Sequence, residues 1–326
     1  MRRMFRLKLR KLRALMKPEI TIGTRGSKLA LWQANWVKSE LIKSFPGLSA
    51  EIVIIKTKGD KILDVPLAKI GGKGLFVKEI EEALIGNHID MAVHSMKDMP
   101  AELLDGLSIG AIPERENPGD VLISKNNFLL SQLPEKARVG TSSLRRLAQI
   151  KHIRPDLVIL PLRGNLDTRI RKLNSGELDA IILAAAGVKR LGLENIITEY
   201  LDENIMLPAV GQGALCIEIR KDDHNISKFT DSLDHSITRA VVMGERAFLK
   251  RLEGGCQIPV AGHGKAEKNM FAISGLVADL EGKIIIKETQ SGPLEASESI
   301  GTALADKLLL RGAKEILENL TGNNGN

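Results

Sequence analysis

Val139-Gly140-Thr141-Ser142-Ser143-Leu144-Arg145-Arg146 reads as the end of a β-strand that passes through hydroxyl residues into a helix. Such a turn leaves the backbone N–H groups of the first helical turn, and the positive end of the helix dipole, aimed at one point. Arginines added there supply forked donors that grip a carboxylate or phosphate in bidentate fashion. Ile22-Gly23-Thr24-Arg25-Gly26-Ser27 has the same design upstream. The chain is therefore expected to contain two similar α/β units that present anion-binding helix ends to a shared cleft, beyond the carboxyl ends of their strands.

Working outward, strand-like runs at 19–24, 51–57, 89–94, 107–112, 137–141, 157–162 and 179–184 alternate with helical stretches near 27–44, 74–86, 142–153 and 164–175. This alternation predicts an α/β fold with largely parallel sheets. Ser27 and Ser142 are expected N-caps, and Asn87 and Gly176 expected stop signals. Pro113, Pro118 and Gly119 place a hinge in 112–120, and after Pro208-Ala209-Val210-Gly211-Gln212-Gly213 a strand at 214–220 crosses back to the first unit. A helix near 235–252, strands at 270–278 and 283–289 and a helix near 297–319 predict a small α+β third domain. The expected domains are thus 18–113 with 214–231, 119–207, and 236–326, after a basic extension over 1–17.

The 326 residues, 43% of them hydrophobic, suffice for several domains with substantial cores. No apolar run approaches the roughly 18 to 20 residues of a spanning helix, and no signal peptide is visible, so a cytoplasmic protein without a membrane partner is expected. The net charge of +7 is misleading about partners. Residues 1–17 carry eight basic and no acidic side chains, which leaves the rest at −1. Phe5, Leu9, Leu12 and Met16 share one face of a possible helix there. It reads as an organelle-targeting presequence, a membrane-surface helix or a dispensable extension, the last being favoured. Aromatics are only 3% and do not interleave with basic residues, which argues against nucleic acid. Two cysteines give no disulfide framework, and the six scattered histidines suggest no metal site.

Between Arg138 and Arg190 the chain has eleven Lys or Arg against four Asp or Glu. Any one of these arginines could be solvated surface charge, but repetition at strand ends points to a polyanionic ligand. Asp98, in His94-Ser95-Met96-Lys97-Asp98-Met99-Pro100, follows a strand and should project into the cleft mouth. It reads either as a turn aspartate before proline or as a lone carboxylate that steadies a cationic intermediate or shuttles protons. Cys256, within Gly254-Gly255-Cys256-Gln257, is an accessible candidate nucleophile or attachment point, whereas Cys216 in an apolar strand reads as core. The stretch 58–73, basic and glycine-rich but without nucleotide P-loop spacing, reads as a mobile lid or a structural loop.

Seven strings in order, Thr24-Arg25-Gly26-Ser27, Gly71-Gly72-Lys73-Gly74-Leu75-Phe76, His94-Ser95-Met96-Lys97-Asp98, Gly140-Thr141-Ser142-Ser143-Leu144-Arg145-Arg146, Arg163-Gly164-Asn165, Gly211-Gln212-Gly213 and Gly254-Gly255-Cys256-Gln257, resemble the porphobilinogen deaminase (hydroxymethylbilane synthase) family. The resemblance implies two domains like those of periplasmic binding proteins, with a central cleft, and a small C-terminal domain. It implies a monomeric transferase that joins four porphobilinogen molecules head to tail, releasing ammonia, on a dipyrromethane cofactor held by a thioether to Cys256. By the same resemblance Lys97, Ser143, Arg145, Arg146 and Arg169 hold cofactor carboxylates. Arg25, Ser27, Arg163 and Arg190 hold the substrate or growing chain, Phe76 stacks on the working pyrrole, and Asp98 steadies the charge left when ammonia departs. A non-catalytic carboxylate-binding protein on the same frame needs neither Asp98 nor Cys256.

Overall fold

A computed structural model of the chain describes residues 19–61, 75–252 and 258–322. The basic extension, the glycine-rich residues 71–74 and Cys256 lie outside the described residues.

Two five-stranded sheets share one plan. In the first, β1 (Glu19–Thr24) lies between β2 (Ser49–Ile54) and β3 (Met91–Ser95), parallel to both. β10 (Leu215–Arg220) then runs antiparallel between β3 and β4 (Leu107–Ala111). In the second, β6 (Arg138–Gly140) lies parallel between β7 (Val158–Leu160) and β8 (Ala180–Ala184). β5 (Asp120–Ser124) runs antiparallel between β8 and β9 (Glu199–Leu201). In each sheet the antiparallel strand, fourth in the order, is the one by which the chain arrives from the other domain. The sheets are therefore mixed rather than largely parallel. β5 and β9 were not expected from the sequence: β5 opens on a charged residue straight after Pro118-Gly119, and β9 is three residues long.

Helix α1 (Lys28–Ser44) starts as expected at Ser27, whose Oγ accepts from Ala30 N. A single turn, α2 (Lys58–Lys61), and α3 (Lys78–Ile85) complete the first half. The cap of α4 (Leu144–Ile153) is Ser143, not Ser142. Ser142 Oγ instead donates to Leu162 O (3.0 Å) and accepts from Leu162 N (2.9 Å), clamping the ends of β6 and β7 together. Next come α5 (Leu166–Asn174), capped by Asn165, and α6 (Ala185–Arg190). Residues Asn87 (φ 56°) and Gly176 (φ 89°) lie in the left-handed region just past their helices, as stop signals should.

After α7 (His224–Thr230) the third domain packs α8 (Ser236–Arg251) and α9 (Ser297–Leu308) on an antiparallel sheet of β11 (Val260–Glu267), β12 (Met270–Ala278) and β13 (Ile285–Pro293). The helix expected over 297–319 is broken at Gly312 (φ 104°) before α10 (Lys314–Gly322). Strand β11 escapes a sequence reading because its alternating glycines look like a loop. They make room for the core: a Cβ at Gly262 would meet Phe248 at 2.9 Å, and one at Gly264 would meet Phe271 at 2.6 Å. Both phenylalanines are fully buried, each worth about 1.5–3 kcal/mol by transfer from water. Among the described residues no helix is long and apolar enough to cross a membrane.

Candidate active site

Strand β3 is buried along its length and ends in a 3₁₀ turn, Met96–Asp98, at the carboxyl edge of the first sheet. Met96 N donates to Ala214 O (3.0 Å) and Met99 N to Met96 O (3.1 Å), so the turn is hung from the chain returning to the first domain. The half-buried Asp98 lies within electrostatic reach of Arg169 of the second domain. Its carboxylate favours the charged forms of both Lys97 and Arg169.

Across the cleft, the first turn of α4 directs Arg145 and Arg146 inward to a residue that the sequence reading missed. Asp120, fully buried at the start of β5, accepts from Arg145 Nη1 (2.7 Å) and from Arg146 Nε and Nη2 (3.0 and 2.7 Å). Arg145 Nη1 also donates to Leu207 O, and Arg146 Nη1 to Ile182 O. Burial would raise the Asp120 carboxyl, but the two guanidiniums override it and hold it far below the usual carboxylate range. Gln212 Nε2 donates to Asp120 Oδ1 at 3.0 Å, while Gln212 Oε1 lies 3.4 Å from Lys97 Nζ. Two arginines on one aspartate leave one positive charge uncompensated.

That surplus is felt by its neighbours. Burial first, then repulsion from Arg146, pushes the Lys97 ammonium down to about 8, against the pull of Asp98 and Asp120. Burial, then Arg146, brings the Arg169 guanidinium down to about 10, opposed by Asp98; Arg163 adds further repulsion. Arg169 Nε is oriented by Gly164 O (2.9 Å). Among the described residues the Arg163 side chain has no hydrogen bond or ion pair. Lys97 and Arg169 thus lie within electrostatic reach of Asp98, with Arg146 repelling both and Arg163 repelling Arg169.

The remaining expected residues are engaged differently. Arg25 pairs with Asp60 (Nε to Oδ1 3.1 Å) and lies 4.2 Å over the Phe76 ring, so Phe76 stacks on a guanidinium. Asp60 also accepts from Thr57 Oγ1 (2.9 Å). Arg190 Nη2 donates to Gly213 O (2.8 Å), and its guanidinium lies 5.8 Å over Trp32 of α1, joining the second domain to the first. Burial lowers it to about 10, against the pull of Glu116, which itself binds Lys189 (2.7 Å). Gly213 (φ 88°) lets this crossing pass Glu116, since a Cβ would fall 2.3 Å from Glu116 O. Asp120, Asp60, Glu116 and Gln212 are the partners sequence reasoning missed. Only Asp120 carries a local sign, a charge at the head of the apolar run Val121-Leu122-Ile123.

A carboxylate-rich, cysteine-linked dipyrromethane fits this donor set, because its acetates and propionates supply the missing negative charge. Cys216 cannot anchor it: the residue is fully buried in β10, and burial followed by Glu218 pushes its thiol strongly up. Cys256 belongs to the short segment between the end of α8 and Ile258, outside the described residues.

Comparison with known proteins agrees with this chemistry. Residues 20–228 match the family model for the porphobilinogen deaminase dipyromethane cofactor binding domain, and residues 240–310 match the model for the porphobilinogen deaminase C-terminal domain. The chain is 55% identical over 305 residues to porphobilinogen deaminase of Carboxydothermus hydrogenoformans, covering 94% of this chain and 98% of the relative. It is 54% identical over 298 residues to the Geobacter sulfurreducens protein of the same name, covering 91% and 93%. Among solved structures, the methionine binding protein MetQ superposes with a TM-score of 0.43 at 16% identity, over 66% of this chain and 89% of that one.

Proposed function

This chain belongs to the porphobilinogen deaminase family, and from that premise we propose how its residues divide the work. The enzyme is a transferase of tetrapyrrole biosynthesis that joins four porphobilinogen molecules head to tail, releasing ammonia, to make hydroxymethylbilane. Its dipyrromethane cofactor supplies a tethered primer with a free pyrrole carbon at which the chain grows.

In this reading Cys256 carries the thioether, and Lys97, Ser143, Arg145, Arg146 and Arg169 hold the cofactor's carboxylates. Arg169 acts directly, while Arg145 and Arg146 act partly through Asp120, which they share. Arg163, whose fork has no partner among the described residues, and Arg190 hold the incoming substrate or the growing chain. Arg25 and Ser27 do so from the first domain, and Phe76 reaches the working pyrrole by leaving Arg25. Loss of ammonia makes the substrate ring electron-poor and positive near its nitrogen. Asp98 steadies that charge and accepts the proton released when the new carbon–carbon bond forms. The setting of Asp98, on the turn at the end of β3 and within reach of Lys97 from its own domain and Arg169 from the other, carries the assignment.

The near-neutral body and low aromatic content support action without nucleic acid, as a cytoplasmic monomer. The domain limits proposed are 18–113 with 214–231, 119–207 and 236–326. Intact mass of purified protein tests the anchor. Wild type and Cys216→Ser should carry an addition of two linked pyrrole units, and Cys256→Ser should carry none. A full adduct on Cys256→Ser would move the anchor elsewhere.

A further inference from the structure

The turn that carries Asp98 is held from behind by a residue that no family string contains. Arg246 of α8 is only 6% exposed. Its Nη2 donates to Pro100 O (2.9 Å) and Ala101 O (3.0 Å), and its Nη1 lies 3.8 Å from Met96 Sδ. The second crossing presses on the same turn from another side: a Cβ on Gly211 (φ 69°) would fall 2.6 Å from Met96 Cγ and 3.3 Å from Lys97 N. With Met96 N also bound to Ala214 O, the chain is pinned at 96 and again at 100–101. Asp98 sits between the pins.

We propose that Arg246 is a positioning residue that sets the place of the Asp98 carboxylate, and that α8 thereby holds the reacting turn. The next residue back, Glu245, accepts from Gly211 N (2.7 Å), so one helical turn holds both the Asp98 turn and the crossing packed against it. Burial weighs against the Arg246 cation, and Glu218 of β10 offsets part of that. A lysine could keep the charge and donate to both carbonyls from one nitrogen, but it has no second nitrogen in a fixed plane to hold the place of Nη1 beside Met96 Sδ. A shift of about 1 Å in a group of this kind costs on the order of a hundredfold in rate.

This inference rests on the reading of Asp98 as the reacting carboxylate. Its test therefore compares Arg246→Lys, Arg246→Gln, Met96→Leu and Asp98→Asn in cofactor-bearing enzyme. Intact mass reports loading, and hydrogen exchange of the peptide spanning 96–101 reports the turn. Both Arg246 variants should load cofactor and keep KM within about twofold while kcat falls about tenfold or more, least in Arg246→Lys. Exchange in 96–101 should quicken about tenfold with β3 itself unchanged. Met96→Leu, which keeps the volume and removes the sulfur, should move both readouts the same way by a smaller factor. Wild-type exchange and kcat in the Arg246 variants would overturn the proposal while slow Asp98→Asn leaves the role of Asp98 standing. Should the Arg246 variants not fold, unchanged exchange and kcat in Met96→Leu would overturn it. Normal turnover by Asp98→Asn would instead remove the catalytic role of Asp98, with exchange still deciding whether Arg246 holds the turn.

Discussion

Glu245 and Arg115 meet end to end, Oε1 to Nη1 at 2.6 Å and Oε2 to Nη2 at 3.1 Å, where the third domain touches the first crossing between the two sheets. Glu245 is fully buried and also accepts from Gly211 N and Gly264 N, both at 2.7 Å. Removing one partner leaves a buried charge and stranded amides. Glu245→Gln or Arg115→Leu should therefore lower unfolding free energy by about 3–5 kcal/mol. Urea denaturation with the loading state matched by intact mass checks this. A loss under about 1 kcal/mol would mean that water replaces the pair at little cost.

Asp98→Asn keeps the shape of the side chain and removes its charge and its capacity to accept a proton. Cofactor loading should persist, and kcat should fall about a hundredfold or more, the scale of a positioned acid–base group. Rapid-quench measurement of the first addition of porphobilinogen isolates the step. Near-normal turnover would reject the role.

Lys97 should stand out among the lysines in reactivity. With its ammonium brought down to about 8 by burial and Arg146, about half of it is neutral at pH 8, against well under 1% for an ordinary lysine near 10.4. In Cys256→Ser protein, limiting amine-directed acylation at pH 8 should label Lys97 ahead of exposed lysines, as read by peptide mass spectrometry. In cofactor-bearing protein, carboxylates beside the ammonium should suppress labelling. Equal labelling in the two forms would place the cofactor's carboxylates away from Lys97.

Glu81 offers a pH test away from the cleft. Its Oε1 is buried without a hydrogen-bond partner among the described residues, and burial followed by repulsion from Glu218 raises the carboxyl from 4.5 to about 6. The folded protein therefore takes up this proton more readily than the unfolded chain. The favourable contribution is present below about 4.5 and is lost as pH rises through about 6. Glu81→Gln should match wild-type thermal stability near pH 4.5 and exceed it above pH 6.5. A constant difference across that range would exclude Glu81 as the titrating group.

The features legible in the sequence are those encoded within a few residues. Gly-Thr-x-Ser at a strand end announces both the turn and its cap, although the choice between Ser142 and Ser143 depends on Leu162, twenty positions away, which claims Ser142. The return of β10 to the first sheet can be read from the glycines before it. The pairing of counterions cannot. Asp60 looks like a surface residue, and Asp120 is marked only by the apolar run it heads, until folding sets them against Arg25, Arg145 and Arg146. The crowding of Lys97 and Arg169 about Asp98 likewise joins two domains that only the completed fold brings together.

The grip of Glu245 on both crossings makes one buried carboxylate the common fastening of the two sheets. Arg115 comes from the outgoing strand connection and Gly211 from the returning one, while Gly264 binds the same side chain to the sheet of the third domain. A displacement of α8 would therefore be carried to both connections together rather than to one sheet alone.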